Sequence, residues 1–185
     1  MFNDILFALW FFLPAGAANV MPIFVAKMPL LRKYEAPMDF GKTYRGKRIF
    51  GSHKTWRGLV SGIIAGTLTL WLQQYLFVES SWVRSFASDV DYAALPTLLM
   101  GAMFAIGALG GDAIESFFKR QRGVAPGRGW FPFDQTDFII GGAIATMPFV
   151  SLTIWQYAWL LILWLGVHVL STIVGYFLKL KDSPI

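Results

Sequence analysis

An all-α integral membrane protein with five transmembrane helices, N-terminus outside and C-terminus cytoplasmic, is the fold class this sequence predicts. Three observations predict it. Residues of the AVILMFWYC class make up 56% of the 185 residues and charged residues only 15%, against about 25% charged in an ordinary soluble domain. The apolar residues fall in long runs free of Asp, Glu, Lys and Arg. The basic residues gather on alternate connections between those runs. So few charges, with 17% aromatic residues, also exclude a disordered chain. The absence of cysteine excludes a disulfide scaffold and thiolate metal sites, so any metal must be held by oxygen or by one of two histidines. The length allows a single domain, 1–185.

The charge-free runs are Ile5 to Ala26, Gly58 to Val78, Tyr92 to Gly111 and Phe138 to Leu178. About 20 residues of helix cross a hydrocarbon core of roughly 30 Å. The first three runs are therefore one span each, and the last, at 41 residues, makes two. Its fold-back is expected near Trp155, Gln156, Tyr157 and Trp159, whose amphipathic rings suit the membrane–water interface. The spans run at about 5–26, 58–78, 92–116, 138–154 and 159–178, with cytoplasmic loops at 27–57 and 119–137. The first run could instead be a cleaved signal, with Ala15-Gly16-Ala17 faintly resembling a cleavage site. It starts with Asp4 rather than a basic residue and is longer than an h-region, so a retained span is the better reading.

Nine basic residues, from Lys27 to Arg57, lie between spans one and two. Lys119, Arg120, Arg122 and Arg128 lie between spans three and four, and Lys179 and Lys181 follow span five. Fifteen of the sixteen thus fall on one face, leaving only Arg84 on the other. The positive-inside rule makes that face cytoplasmic and places the chain in the inner (cytoplasmic) membrane as a multi-pass protein. Gly58, Gly62 and Gly66, and Gly107 and Gly111, recur at four-residue spacing and predict close helix packing in lipid. Asn19 between Pro14 and Pro22 predicts a locally broken first span that faces protein or water. There is no internal repeat.

Chemistry gathers at the cytoplasmic rim. Asp112, Glu115, Ser116 and Lys119 occupy i, i+3, i+4 and i+7, one helical face, where ionisable groups are costly and usually functional. The following loop, rich in Gly and Pro, ends in Asp134 and Asp137 at the start of span four. A helix cap accounts for Asp134 but not for a second aspartate opposite Asp112. Asp112, Asp134 and Asp137 are three hard oxygen donors suited to Mg²⁺, and the basic residues beside them suggest a polyphosphate ligand. Gly51, Ser52, Lys54 and Thr55 precede a helix start and offer amides, hydroxyls and an ammonium to an anion, without the spacing of a Walker A loop. His53 reads as a solvated loop histidine and His168, among Val and Leu, as a packed core residue. No serine–histidine–acid arrangement is legible. The feasible chemistry is metal-assisted phosphoryl or nucleotidyl transfer.

Four pieces of the sequence resemble the CDP-archaeol synthase family, membrane cytidylyltransferases related to CDP-diacylglycerol synthases. Asn19 with Pro22 resembles the family's "AN..P", and Gly51 to Gly58 its "KT(W)xG" loop. Gly111-Asp112 through Ser116 to Lys119-Arg120 resembles "GDxxxSxxKR", and Pro132 to Phe138 resembles "PxxDQxDF". The resemblance implies that CTP and a lipid phosphate, with Mg²⁺, yield a CDP-lipid and pyrophosphate. The lipid would be an archaeal-type diether glycerol phosphate or a phosphatidate-like molecule. It implies that Asp134, Asp137 and Asp112 hold metal and, with Lys119 and Arg120, carry catalysis. Lys54, Thr55, Trp56, Gly58, Ser116 and Arg122 would bind the nucleotide, and Asn19 and Arg57 the lipid. The partners are then CTP, the lipid phosphate and the membrane, not nucleic acid. One departure stands out: the Lys-Asp pair of CDP-diacylglycerol synthases aligns here with Ala125-Pro126, and Asp112 is expected to substitute for the missing aspartate. Two other readings compete. A small transporter would cluster its polar residues near the bilayer midplane, and an anionic-lipid scaffold would leave Asp134 and Asp137 dispensable.

Overall fold

The computed structural model describes residues 2–125 and 128–177. Leu178, which ends the expected fifth span, Lys179, Lys181 and Pro126 lie outside the described residues. Among the described residues seven α-helices follow one another: α1 (Phe2–Phe11), α2 (Leu13–Lys27), α3 (Trp56–Glu79), α4 (Ser81–Ala87), α5 (Thr97–Gln121), α6 (Phe133–Thr146) and α7 (Ile154–Phe177). A two-stranded antiparallel ribbon, β1 (Thr43–Tyr44) with β2 (Lys47–Arg48), lies in the loop before α3.

The helices α3, α5 and α7 are each long and apolar enough to cross a membrane. The pair α1–α2, bent by 44° at its break, meets the same test together. The fourth expected span, 138–154, differs. Helix α6 has 14 residues, about 21 Å of rise, shorter than a bilayer core. The expected fold-back near 155–159 is also corrected. The chain turns at residues 147–153, and Trp155, Gln156, Tyr157 and Trp159 already belong to α7. Thr153 explains the position, because its hydroxyl oxygen accepts the Gln156 N–H (3.3 Å) while its own N–H donates to the Gln156 side chain (2.8 Å). The third run likewise starts late, since Tyr92–Ala94 forms a short 3-10 turn and Pro96 precedes α5.

The break in the first run falls at Phe12, ahead of Pro14, and not between the two prolines; α2 continues through Pro22. Pro14 has no N–H for the carbonyl four residues earlier. That carbonyl, of Trp10, accepts instead from the buried Gln73 side chain of α3 (2.5 Å). The core around the break is aromatic: Phe11 and Phe12 pack on Phe104, and Phe12 also packs on Trp164.

Small residues set the helix spacing as expected. The α3 glycine row lies along α2, with Gly58 against Pro22, Gly62 against Ala18 and Gly66 against Pro14. Gly107 and Gly111 of α5 face Gly141 and Asp137 of α6, here backbone to backbone. These two seams bring the C-terminal end of α2, the N-terminal end of α3, the C-terminal end of α5 and the N-terminal end of α6 together at one end of the bundle.

Candidate active site

A cavity of about 500 Å³ opens at that end. Helix α2 gives it Asn19, Pro22 and Ile23, and the start of α3, with the residues before it, gives His53, Lys54, Thr55, Gly58 and Leu59. Helix α5 gives Asp112 and Lys119, α6 gives Asp134, Gln135 and Asp137, and α7 gives His168 and Thr172. Arg128 and Gly129 close it from the loop before α6.

Asp112, Glu115 and Asp137 converge. Each offers a carboxylate oxygen, and the three oxygens lie within 4.8 Å of one another. The one-turn spacing of Asp112 and Glu115 on α5 and the Gly111–Asp137 contact between α5 and α6 produce this convergence. Asp134 takes a different place from its expected one in a metal triad with Asp112 and Asp137. Its Oδ2 accepts the Trp130 N–H (2.8 Å) and pairs with the Lys119 ammonium (3.3 Å). It does not cap α6, whose N-cap is Pro132.

Two lysines balance part of this charge. Lys54 reaches across from the first loop to Asp112 Oδ2 (2.5 Å). Lys119, buried with 8% exposure, stands between Glu115 (3.5 Å) and Asp134 (3.3 Å). Like charges this close repel strongly unless cations lie among them. Asp134 Oδ1 and Asp137 Oδ2 are buried and make no hydrogen bond among the described residues. A set of hard carboxylate oxygens with buried lone pairs to spare fits Mg²⁺.

Thr55 caps α3, its hydroxyl oxygen accepting the Gly58 N–H (3.1 Å). Its O–H remains able to donate to an anion, and the partial positive charge of the α3 N-terminus points the same way.

The structure thus brings Asn19, Lys54, Thr55, Gly58, Asp112, Lys119, Asp134 and Asp137 to one cavity. Trp56, Arg57, Ser116, Arg120 and Arg122 do not line it. Trp56 faces Phe40 (ring centroids 6.1 Å apart), and Arg57 donates to the Leu31 carbonyl (2.7 Å). Arg120 donates to the Val124 carbonyl (3.0 Å), Arg122 lies over the Trp130 ring (5.5 Å), and Ser116 is buried in α5. Sequence reasoning left Glu115 out of the metal set, although its spacing from Asp112 was the available signal. It read His168 as core, whereas His168 is half-buried, packs at a tilt against the Phe138 ring (centroids 5.3 Å apart) and lines the cavity with Thr172, one turn on. His53, expected to be solvated, is exposed and also edges the cavity.

Comparison with known proteins adds the chemistry. The family model described as CarS-like, CDP-archaeol synthase, matches residues 1–185. A CDP-archaeol synthase of Pyrococcus furiosus is 34% identical over 183 residues, covering 98% of this chain and 99% of that one. Another, of Methanospirillum hungatei, is 36% identical over 155 residues, 80% of this chain and 89% of that one. A solved structure described as an intramembrane enzyme for archaeal membrane lipids biosynthesis superposes with a TM-score of 0.69 at 26% identity, covering 91% of this chain and 94% of that one. The chain belongs to the CDP-archaeol synthase family and is a membrane enzyme, a CTP-dependent cytidylyltransferase. The enzyme reading of the sequence therefore stands over the transporter and the scaffold.

Proposed function

We propose that this member of the CDP-archaeol synthase family transfers CMP from CTP to the phosphate of an archaeal-type diether lipid, releasing pyrophosphate at the cytoplasmic face. An oxygen of the lipid phosphate attacks the α-phosphorus of CTP. The new P–O bond makes the CDP-lipid, and the bond from the α-phosphorus to the bridging oxygen breaks, so that this oxygen leaves with pyrophosphate. No covalent intermediate with the enzyme is required; positioning and charge neutralisation suffice.

One observation carries the reading: Asp112, Glu115 and Asp137 meet within 4.8 Å on a cavity that also holds Lys54 and Lys119. In this reading Asp112, Glu115 and Asp137 hold Mg²⁺, which when bound neutralises the phosphate oxygens and the departing pyrophosphate. Lys54, the Thr55 hydroxyl and Arg128 hold the triphosphate. Asp134 keeps Lys119 in place, and Lys119 in turn offsets the charge of Glu115. Arg120 and Arg122 shape the second loop and do not touch substrate. Asn19, Ile23 and, across the cavity, His168 and Thr172 face the lipid phosphate and the first carbons of its chains.

The test uses purified protein, labelled CTP, Mg²⁺ and a panel of lipid phosphates that includes an unsaturated diether glycerol phosphate and phosphatidate. CDP-lipid is expected with the diether, at a higher rate than with phosphatidate, and is lost on chelation of the metal. Folded protein that forms no CDP-lipid with any member of the panel would refute the proposal.

A further inference from the structure

Asp39 lies in the exposed loop before α3, outside the cavity and outside every motif above, yet its side chain is fully buried. Its Oδ1 accepts the Gly41 N–H (3.0 Å) and Arg48 Nη2 (2.6 Å). Its Oδ2 accepts Arg48 Nε (3.2 Å) and the N–H groups of Phe50 (3.1 Å) and Gly51 (3.0 Å). Five donors on one carboxylate is a large investment for a loop that lines no core. Burial would raise the carboxyl, but the Arg48 guanidinium and the three backbone N–H groups outweigh it and hold Asp39 well below the usual carboxylate range. This pocket thus favours the charged carboxylate.

What the carboxylate holds is the approach to the cavity. The residues beside Asp39 pair with the end of the same loop: the Met38 N–H donates to the Lys54 carbonyl (2.7 Å) and the Trp56 N–H to the Ala36 carbonyl (3.1 Å). The segment from Phe50 to Trp56 is thus gripped at its start by the Asp39 side chain and at its end by the backbone around it. Between the two grips the chain turns at Gly51 (φ +99°), a left-handed conformation natural to glycine. That turn presents His53, Lys54 and Thr55 to the cavity, where Lys54 meets Asp112.

We infer that Asp39 is a positioning residue for the transfer reaction: its buried carboxylate sets the shape of residues 48–51 so that Lys54 and Thr55 reach the nucleotide's phosphates. This rests on the proposed role of Lys54 at the triphosphate. The Lys54 ammonium sits on a flexible four-carbon stem, so its position depends on a rigid backbone beneath it.

The experiment compares Asp39→Ala, Asp39→Asn, Lys54→Ala and the Asp39→Ala/Lys54→Ala double variant, all full length in detergent. It reads kcat, KM for CTP, the melting temperature, and the rate of tryptic cleavage after Lys42, Arg45, Lys47 and Arg48. Asp39→Ala is expected to raise KM for CTP by roughly tenfold or more, the range seen when groups that orient a ligating shell are removed, with kcat changed less. Trypsin should cut the loop faster while the melting temperature of the bundle holds. Asp39→Asn, which keeps one of the two acceptor oxygens, should fall between, and the double variant should be no worse than the worse single. Unchanged tryptic resistance in Asp39→Ala overturns the inference, and so do single effects that multiply in the double variant. If Lys54→Ala keeps wild-type kinetics, the proposed role of Lys54 is what fails, and the tryptic pattern alone decides for or against Asp39.

Discussion

Gly111 of α5 and Asp137 of α6 meet backbone to backbone: a Cβ added at Gly111 would collide with the Asp137 carbonyl oxygen. The two helices pack this tightly at the level of the acidic cluster, so the glycine fixes where the Asp137 carboxylate stands relative to Asp112. Gly111→Ala is expected to cost about 1–3 kcal/mol of stability through overpacking and to lower CDP-lipid formation sharply. Its neighbour is the control. A Cβ at Gly110 meets nothing within 4 Å, so Gly110→Ala should keep activity and gain a few tenths to about 1 kcal/mol from helix propensity. Melting in detergent and turnover on the same preparations check both; equal effects at 110 and 111 would contradict the packing argument.

Lys119 is buried between Glu115 and Asp134. Removing it strands carboxylates in a low-dielectric site, a kind of loss that costs about 3–5 kcal/mol for fully buried pairs. Lys119→Met should lie at the low end of that range, because the Asp134 side chain keeps 22% exposure. The Lys119→Met/Glu115→Gln double variant removes one of the stranded charges and should recover part of the stability without recovering turnover. Thermal melting of the single and double variants, read beside activity, separates the two roles.

The all-helical, membrane-spanning character of the chain and the clustering of polar side chains at one end of the bundle were legible in the sequence because hydropathy and charge act locally. A charge-free run long enough to span registers directly, and the Asp112–Lys119 stripe needs only helical periodicity to share a face. The breaks were less legible, because they depend on tertiary partners. Pro14 signals a disrupted helix, but only Gln73, far along the chain, shows which carbonyl is rescued and so where the bend sits. The same holds at the site. Asp134 and Asp137 look equivalent in sequence, and their roles separate only when Lys119 and the Trp130 N–H claim the first. His168 was hidden because an isolated polar residue on an apolar helix gives no sign of whether it faces a core or a cavity.

Gln73 is 1% exposed and supplies the donor for the Trp10 carbonyl at the α1–α2 break. Gln73→Leu keeps much of the volume and leaves that carbonyl without its donor. The expected cost is about 1–2 kcal/mol, as for hydrogen bonds between membrane helices and buried unpartnered carbonyls. Turnover at low temperature should be near wild type, since the break lies far along α2 from the cavity. A melting shift without a kinetic change is the expected pattern.

Asp39 makes a pH prediction. Its carboxyl is held below its ordinary value by Arg48 and three N–H groups, against burial that pulls the other way. The folded-state value is thus lower than the unfolded one. Its stabilising contribution is complete above about pH 4, the unfolded value, and fades only as pH falls toward the lower folded value. The chain has no cysteine, so a single spin label at Ser52→Cys reports on the loop. Its mobility should stay constant from pH 8 to pH 5 in wild-type background and rise only in stronger acid. With Asp39→Asn added, the label should be mobile across the whole range.

The acidic cluster makes the sharpest distinction, because the proposed roles of Glu115 and Asp134 are the reverse of those expected from sequence alone. Glu115 contributes an oxygen within 4.8 Å of those of Asp112 and Asp137, whereas Asp134 is bound to Lys119 and the Trp130 N–H. Isosteric amides keep shape and remove charge. Asp112→Asn and Asp137→Asn should lower turnover by at least about 100-fold, matching the several kcal/mol that a metal centre supplies. Glu115→Gln should raise the Mg²⁺ concentration needed for half-maximal rate by about tenfold or more, since it weakens a direct donor. Asp134→Asn should leave that concentration nearly unchanged and instead lower the melting temperature, because it frees Lys119 and weakens the anchor of the loop before α6. A Mg²⁺ titration of the two variants decides between them. A larger shift in Asp134→Asn than in Glu115→Gln would return Asp134 to the metal and remove Glu115 from it.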